Sequence, residues 1–329
     1  MDTSLNAKKT YSKIGLIYMI IAVVFESIMY LINNYSATVT GYELDDKTLI
    51  MISFILRFLI FYPLMYILIR SIPKFDIQKK KMSIPALAAC ACVTYALLYV
   101  SNLLGMFLNN LAGKITGQGA ITPIVDVISE MSPLIQIVVT VIVAPIYEEL
   151  LFRKFLLDRI ANYGEVTAMI LSGLMFGLFH GNLSQCVFAA TIGMFFAFVY
   201  LRTGKIQYTI ALHVFVNGIS TFMTTTLMKD VDLTEMMGYL NSGDMDSYIA
   251  FINENVSSMA VMAVFSLIIM MVVLAGIVFI VTLNKHFVFE HHDEEIEKGK
   301  RFRTAILNPG MLAYIIFFVA YIIWIQLGH

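Results

Sequence analysis

The chain has 329 residues, of which 59% are hydrophobic and only 14% are charged, and its mean hydropathy is +0.80. Soluble domains carry about 25% charged residues, so this composition excludes an ordinary soluble protein. The formal net charge is −1, which lacks the positive excess typical of nucleic-acid-binding proteins. We therefore expect an all-α, polytopic membrane helical bundle with no nucleic-acid partner.

Long apolar runs predict about nine transmembrane helices, because each run approaches the length that spans a bilayer. In chain order the predicted spans are 14–32, 49–69, 84–107, 131–157, 166–179, 185–201, 206–228, 258–283 and 311–327. The connecting segments are polar. Among them we expect a partly amphipathic surface segment at 108–130 and a long acidic loop at 229–256.

The distribution of basic residues predicts that the N-terminus is cytoplasmic. With that orientation, nearly all of the 22 Lys and Arg residues fall in cytoplasmic segments. Only Lys47, Lys114 and Lys229 fall on the other side, and Arg57 lies within a span. An excess of Lys and Arg on the cytoplasmic side is the usual rule for helical membrane proteins.

The predicted span 131–157 carries two adjacent carboxylates, Glu148 and Glu149, followed by Arg153. An ionisable group within a bilayer costs roughly 2.5–3.5 kcal/mol and is a functional candidate. Glu149 and Arg153 are four residues apart on a helix and can pair, which leaves Glu148 pointing elsewhere. The alternative is a charged helix end at the membrane surface, because further charged residues follow at 154–159.

Two of the six histidines, His180 and His213, lie in apolar surroundings. Asn217 shares a helix face with His213. The helical rise places Glu148, His213, Asn217 and His180 roughly 14, 11, 17 and 22 Å from the inner boundary, so they can share one cavity. Glycines at every fourth position from 173 to 181 predict a close helix approach beside His180. A single buried histidine is usually a core residue, but two near the carboxylates favour a functional site.

These residue types suit hydrolysis of an amide bond. A glutamate can take a proton from water, histidines can transfer protons, and an asparagine can donate to an oxyanion. The sequence has neither a Gly-x-Ser-x-Gly turn nor a His-Glu-x-x-His helix. The same groups could instead hold a divalent metal such as zinc. Because zinc rarely takes an amide ligand and no cysteine lies in these motifs, we expect no required cofactor and leave the metal alternative open.

Three short motifs occur in order, each within a predicted span: Glu148-Glu149-x-x-x-Arg153, Phe176-x-x-x-His180 and His213-x-x-x-Asn217. Together they resemble the signature motifs of the CPBP family of intramembrane peptidases, which includes type II CAAX prenyl endopeptidases and bacterial Abi-type proteins. The resemblance covers about residues 130–220. It implies that Glu148 activates water, that His180 is its partner in proton transfer, and that His213 and Asn217 hold the oxyanion or help to bind a metal. The other three motif residues would be supporting residues.

The resemblance implies a function for the core, and the predicted spans give the organisation of the parts that it does not cover. We expect N-terminal helices and the amphipathic segment at 1–130, a catalytic core at 131–228, and an acidic external loop with C-terminal helices at 229–329. The expected function is an intramembrane endopeptidase that cleaves a membrane-embedded or lipidated peptide in a cell membrane, here the bacterial plasma membrane. Substrate and oligomeric state stay open.

Two other classes of function remain as alternatives. The first is a non-catalytic bacteriocin-immunity or scaffold protein of the same fold, against which the intact motifs argue. The second is a transporter with a proton-coupled Glu/His site. The sequence shows no internal repeat between its halves, which disfavours a transporter.

Glu26 and Arg57 are each a lone charge in the first two predicted spans. The helical rise places both near 18 Å from the inner end of their spans, roughly level with each other. We therefore expect the two residues to form an ion pair, since each alone is costly in hydrocarbon. The alternatives are that Arg57 faces the cavity and binds an anionic group of the substrate, or that it snorkels to water.

Overall fold

The helices of the computed structural model follow the apolar runs of the sequence. The structure describes residues 3–117, 131–227 and 231–327, and in these ranges it contains no strand. In chain order the helices are α1 Thr3–Thr40, α2 Asp46–Ile69, α3 Ile84–Thr116, α4 Pro133–Tyr163, α5 Glu165–Phe179, α6 Leu183–Thr203, α7 Ile206–Leu227, α8 Leu233–Ser242, α9 Met245–Glu254, α10 Val256–Thr282, α11 Arg301–Ala305 and α12 Pro309–Gln326. Within the described residues, eight helices are long and apolar enough to cross a membrane, and α5 is a shorter apolar helix of 15 residues. The predicted polytopic helical membrane fold is confirmed.

Helix α1 is much longer than its apolar run, because it begins at Thr3 and has 38 residues. Its polar start is held by a buried stripe of Ala7, Tyr11 and Ile14, each fully buried. These residues are spaced four and three apart and so lie on one face of the helix. The helical period of the buried residues therefore continues upstream of the run that the hydropathy pattern detects.

Two connecting segments differ from their predictions. Helix α3 continues to Thr116, past the predicted end at residue 107, and the remainder of the predicted surface segment, at 118–130, lies outside the described residues. The predicted acidic loop contains α8 and α9 instead of irregular chain. Asp244 caps α9, because its carboxylate accepts a hydrogen bond from the backbone N–H of Ser247. These helices are short and mixed in polarity, so an apolar run does not mark them.

Helix α5 is the most enclosed part of the bundle. It packs along α6, and α6 packs in turn against α3, while α1 packs against α12 on another side. A Cβ atom at Gly177 would lie 2.5 Å from the carbonyl oxygen of Cys186 on α6, so only glycine allows this crossing. The close approach predicted from the spacing of the glycines is confirmed at this position.

Helix α5 is too short to cross a membrane by itself. Its 15 residues span about 22 Å, less than the ~30 Å hydrocarbon layer. The chain turns after His180 at Gly181, whose φ of +70° favours glycine. Asn182 then caps α6 by accepting a hydrogen bond from the backbone N–H of Gln185 at 2.8 Å. A short helix and a capped turn thus place polar side chains in the interior of the bundle.

Residues 287–300 form a strap across the end of the bundle where Lys and Arg are concentrated. Glu165, the first residue of α5, forms an ion pair with Arg202 and accepts a hydrogen bond from the backbone N–H of Glu290 at 2.7 Å. Lys80 donates to the Glu290 carboxylate at 2.9 Å. The strap therefore connects the start of α5 with the end of α6 and with the segment before α3.

Candidate active site

A buried ion pair lies at the centre of the candidate site. Glu149 and Arg153 have fully buried side chains, and Arg153 Nε lies 3.0 Å from Glu149 Oε2. The guanidinium carbon of Arg153 lies 4.4 Å from the centre of the Phe176 ring. The second oxygen of Glu149 accepts a hydrogen bond from Nδ1–H of His213 at 3.0 Å. Glu149 is thus compensated on both oxygens and joins α4 to α7, and the predicted pairing with Arg153 is observed.

Glu148 points away from this pair. Its side chain is 17% exposed, and its Oε2 lies 3.7 Å from Nε2 of His213. That distance is too long for a hydrogen bond but close enough for an electrostatic contact. Within the described ranges Glu148 makes no hydrogen bond, so it is the least compensated carboxylate of the motif. Adjacent glutamates on one helix therefore have different environments, one enclosed and one open to a cavity.

The tautomer of His180 follows from its hydrogen bond. Its Nδ1 lies 2.8 Å from the carbonyl oxygen of Phe176, and because a carbonyl can only accept, Nδ1 carries a proton. In the neutral imidazole this leaves Nε2 as an acceptor. The ring stands edge-on to Phe176, with centroids 4.7 Å apart. His180 is therefore oriented by its own helix and keeps one nitrogen available.

Asn217 is held by a backbone carbonyl in a π-helical segment of α4. Residues Ile137–Val143 are π-helical, with bonds from residue i+5, as in Ala144 N–H to the carbonyl of Val139. In that pattern the carbonyl of Thr140 would accept from residue 145, but Pro145 has no N–H. The amide Nδ2 of Asn217 donates to this carbonyl at 2.8 Å instead. A proline five residues away thus fixes the position of Asn217.

These side chains meet in one cavity of about 490 Å³ inside the bundle. Glu148, His180, His213 and Asn217 all line it, so the four residues predicted to be catalytic are brought together. Phe176 lines it as well and contacts both histidine rings. The sequence thus predicted which residues converge in the cavity.

Sequence reasoning missed two further contributors, Thr140 and Phe196. The spacing of Thr140 and Pro145 is a usable signal for a free carbonyl, because proline removes the donor of a π-helical turn. The centre of the Phe196 ring on α6 lies 5.7 Å from the guanidinium carbon of Arg153 and 5.8 Å from the centre of the His213 ring. Several phenylalanines crowd α6, so nothing in the sequence distinguishes this one.

The predicted ion pair between Glu26 and Arg57 is wrong. Among the described residues Arg57 has no ion pair, and its guanidinium carbon lies 4.6 Å from the centre of the Phe25 ring. The Glu26 carboxylate accepts a hydrogen bond from the Tyr321 hydroxyl at 3.2 Å. Both charges line the cavity that holds Glu148. A π-helical turn begins at Arg57, so the side chains there point in other directions than they would on a regular α-helix.

The residues present do not fit a metal centre. In the ranges 3–117, 131–227 and 231–327, no three His, Cys, Asp or Glu side chains converge closely enough to hold an ion. Glu149 and His213 are hydrogen-bonded to each other, and Glu149 also forms an ion pair with Arg153. Cys90, Cys92 and Cys186 are free and half-buried in helices. We therefore derive no step through a metal.

Comparisons with known proteins identify the same part of the chain. Residues 130–219 match the family described as type II CAAX prenyl endopeptidase Rce1-like. The chain is similar to the putative membrane peptidase YdiL of Bacillus subtilis (strain 168), with 33% identity over 101 residues. That match covers 30% of this chain and 41% of the relative, so the chain spans about two fifths of the relative's length. No solved structure matches the chain.

Proposed function

Because residues 130–219 match the family described as type II CAAX prenyl endopeptidase Rce1-like, we propose that this membrane protein is an intramembrane endopeptidase of the CPBP type. It cleaves a peptide bond of a membrane-embedded or lipidated substrate, and its catalytic core is 131–228. The bacterial plasma membrane is its proposed location. The observation that carries the proposal is the contrast between the two carboxylates. Glu149 is neutralised by Arg153 and His213, whereas Glu148 lines the cavity without a hydrogen bond to the described residues.

In the proposed reaction Glu148 acts as general base. It takes a proton from a water molecule, whose oxygen attacks the carbonyl carbon of the substrate. The tetrahedral oxyanion accepts a hydrogen bond from Asn217, which keeps one N–H beyond its bond to Thr140. It accepts a second one from Nε2–H of His213 in the doubly protonated form of the ring, since Nδ1–H already donates to Glu149. His180 assists transfer of the proton to the leaving amine as the C–N bond breaks. The second proton of the water also passes to the amine, so the products are a carboxylate and an ammonium group, and atoms and charge balance.

Supporting residues keep the reacting groups in place. Arg153 and Glu149 hold the imidazole of His213 through Nδ1, and the ring of Phe176 separates Arg153 from His180 and His213. Such preorganisation matters because donors that are already oriented need no rearrangement in the transition state. Glu149, Arg153 and Phe176 are therefore proposed as positioning residues.

The test uses the purified full-length chain in liposomes with a library of acyl-anchored peptides. Hydrolysis in water enriched in ¹⁸O places the label in the new carboxylate, which mass spectrometry detects. We expect labelled fragments from the wild type and a loss of about 10²–10⁴-fold or more in Glu148→Gln, whose shape is unchanged. The matched control is Glu254→Gln, an exposed residue at the end of α9, which should cleave normally. Undiminished cleavage by pure Glu148→Gln protein would contradict the assignment, and a complete lack of wild-type cleavage would favour a non-catalytic immunity or scaffold role.

We also propose that activity requires no tightly bound zinc. The reason is that no three His, Cys, Asp or Glu side chains of the described ranges converge closely enough to hold an ion, and that Glu149 is already occupied by His213 and Arg153. Elemental analysis of active protein tests this. Stoichiometric zinc that is lost together with activity on chelation would overturn the proposal, and full activity in metal-free protein would support it.

A further inference from the structure

Arg57 is part of the wall of the cavity that contains Glu148 and His180. It begins the π-helical stretch Arg57–Phe61 in α2, and π-helical turns are frequent at functional sites. It lies within electrostatic range of His180 as well as of Tyr62. None of the three sequence motifs includes Arg57, and the reaction proposed above does not use it. Arg57, which is always positively charged, therefore lines the cavity and has no role in the proposed reaction.

The carboxylates around the cavity do not form an ion pair with this cation, although Glu26 lies within electrostatic range of it and Glu148 lines the same cavity. Glu149 forms an ion pair with Arg153 and a hydrogen bond with His213, and Glu26 accepts the Tyr321 hydroxyl. In the described part of the chain no carboxylate forms an ion pair with Arg57. The Phe25 ring covers one face of the guanidinium, and a cation–π contact leaves the N–H groups at its edges free to donate. A charge within a membrane protein is costly unless it is paired, so the open edges of the guanidinium can take an anion from outside the chain.

We propose that Arg57 determines specificity by binding a carboxylate group of the peptide substrate. The inference rests on the proposed peptidase function and adds the substrate class. The planar guanidinium matches a carboxylate through two parallel N–H···O bonds, which a lysine could not supply. A cavity of about 490 Å³ is roughly 8 Å across, the length of two or three extended residues. The carboxylate is therefore within two or three residues of the bond that is cleaved, and it belongs to an acidic side chain or to the C-terminus of the substrate.

Binding is measured first, because it does not depend on catalysis. The probes are three acyl-anchored peptides of alanine and leucine in neutral phosphatidylcholine vesicles. One has a free C-terminus, one is amidated, and one is amidated with a single glutamate near its end. We expect either carboxylate-bearing peptide to bind the full-length chain about ten- to a hundredfold more tightly than the neutral one. The peptide that gains affinity identifies the source of the carboxylate.

Variants then assign this preference to Arg57. Arg57→Gln should bind all three peptides equally, and Arg57→Lys should keep a reduced preference because it retains charge without the planar fork. The matched control, Arg303→Gln, changes an exposed arginine on α11 and should retain the full preference. Thermal unfolding of each variant shows whether it is folded. No preference in the wild type, an undiminished preference in Arg57→Gln, or equal weakening of all three peptides in folded Arg57→Gln would overturn the inference.

Cleavage kinetics separate this inference from the proposed function. With peptides that the wild type cleaves, Arg57→Gln should raise KM for carboxylate-bearing substrates about ten- to a hundredfold more than it raises KM for the neutral substrate. An equal rise in KM for all substrates would overturn the specificity role. If binding shows the preference but no peptide is cleaved, the peptidase proposal fails while the carboxylate site stands.

Discussion

At the scale of single residues, the buried Glu149–Arg153 pair makes a clear prediction about stability. Arg153→Met leaves the Glu149 charge buried with only His213 beside it, and removing one partner of a buried pair costs about 3–5 kcal/mol. We therefore expect Arg153→Met to lower the unfolding temperature in detergent, and Arg153→Met combined with Glu149→Gln to recover much of the loss. The control Arg303→Met, at an exposed position, should change little. Equal unfolding temperatures for wild type and Arg153→Met would show that the pair contributes nothing to stability.

Asn217 and Pro145 should be coupled, although they lie on different helices. Asn217→Ala leaves the buried carbonyl of Thr140 without its donor, which costs about 1–3 kcal/mol. Pro145→Ala supplies a backbone N–H at the position where the π-helical pattern needs one, so the same loss should be smaller in that background. Unfolding measurements on the two single variants and the double variant give the coupling. Strictly additive losses would show that Pro145 is not the reason that Asn217 is needed.

At the scale of helices, the crossing of α5 and α6 should tolerate no side chain at Gly177. Gly177→Ala places a methyl group against the carbonyl of Cys186, which forces the helices apart and shifts His180. We expect lower thermal stability together with lower activity. Gly238→Ala on α8 is the matched control, because nothing lies within 4 Å of the added Cβ and alanine favours a helix over glycine. An active and stable Gly177→Ala protein would contradict the close crossing.

The helices also show what the sequence could and could not predict. Apolar runs predicted the spans because membrane helices must be apolar, and the period of the helix placed His213 beside Asn217. The runs did not predict α8 and α9, which are short and mixed in polarity. They also did not predict the start of α1, which is held by tertiary contacts of its buried residues. The ion pair expected for Arg57 failed for a related reason. A π-helical turn depends on which carbonyls find donors in the folded bundle, and no regular period anticipates it.

At the scale of the whole molecule, the strap should loosen in acid. The hydrogen bond from Lys80, together with Arg202, lowers the pKa of Glu290 below its ordinary value of 4.5. The His291 hydrogen bond and Arg301 likewise lower the pKa of Glu295. A carboxyl whose pKa is lowered by folding stabilises the fold above its ordinary pKa, and that contribution is lost as pH falls through the lowered value. The strap contacts should therefore be intact at neutral pH, begin to weaken below about pH 4.5, and be lost as pH falls through the lowered pKa values.

Thermal unfolding as a function of pH tests the strap. Lys80→Met should lower the unfolding temperature slightly at neutral pH, since half-exposed ion pairs contribute only about 0.2–1 kcal/mol. The difference from wild type should vanish at acid pH, once Glu290 is protonated in both proteins. The control Lys298→Met, at an exposed residue of the strap, should match wild type throughout. A difference that persists unchanged in acid would mean that Lys80 acts through something other than Glu290.

The shortness of α5 has a consequence for where a substrate would be cut. One end of the helix is attached to the charged surface through Glu165, and His180 follows its other end about 22 Å away. The reacting groups are therefore held at a set depth below that surface. Among peptides that carry the same carboxylate, one anchored at the surface would be cleaved at the residue that reaches this depth. Moving a basic anchor along such a peptide by two residues should move the new terminus by two residues in the same direction.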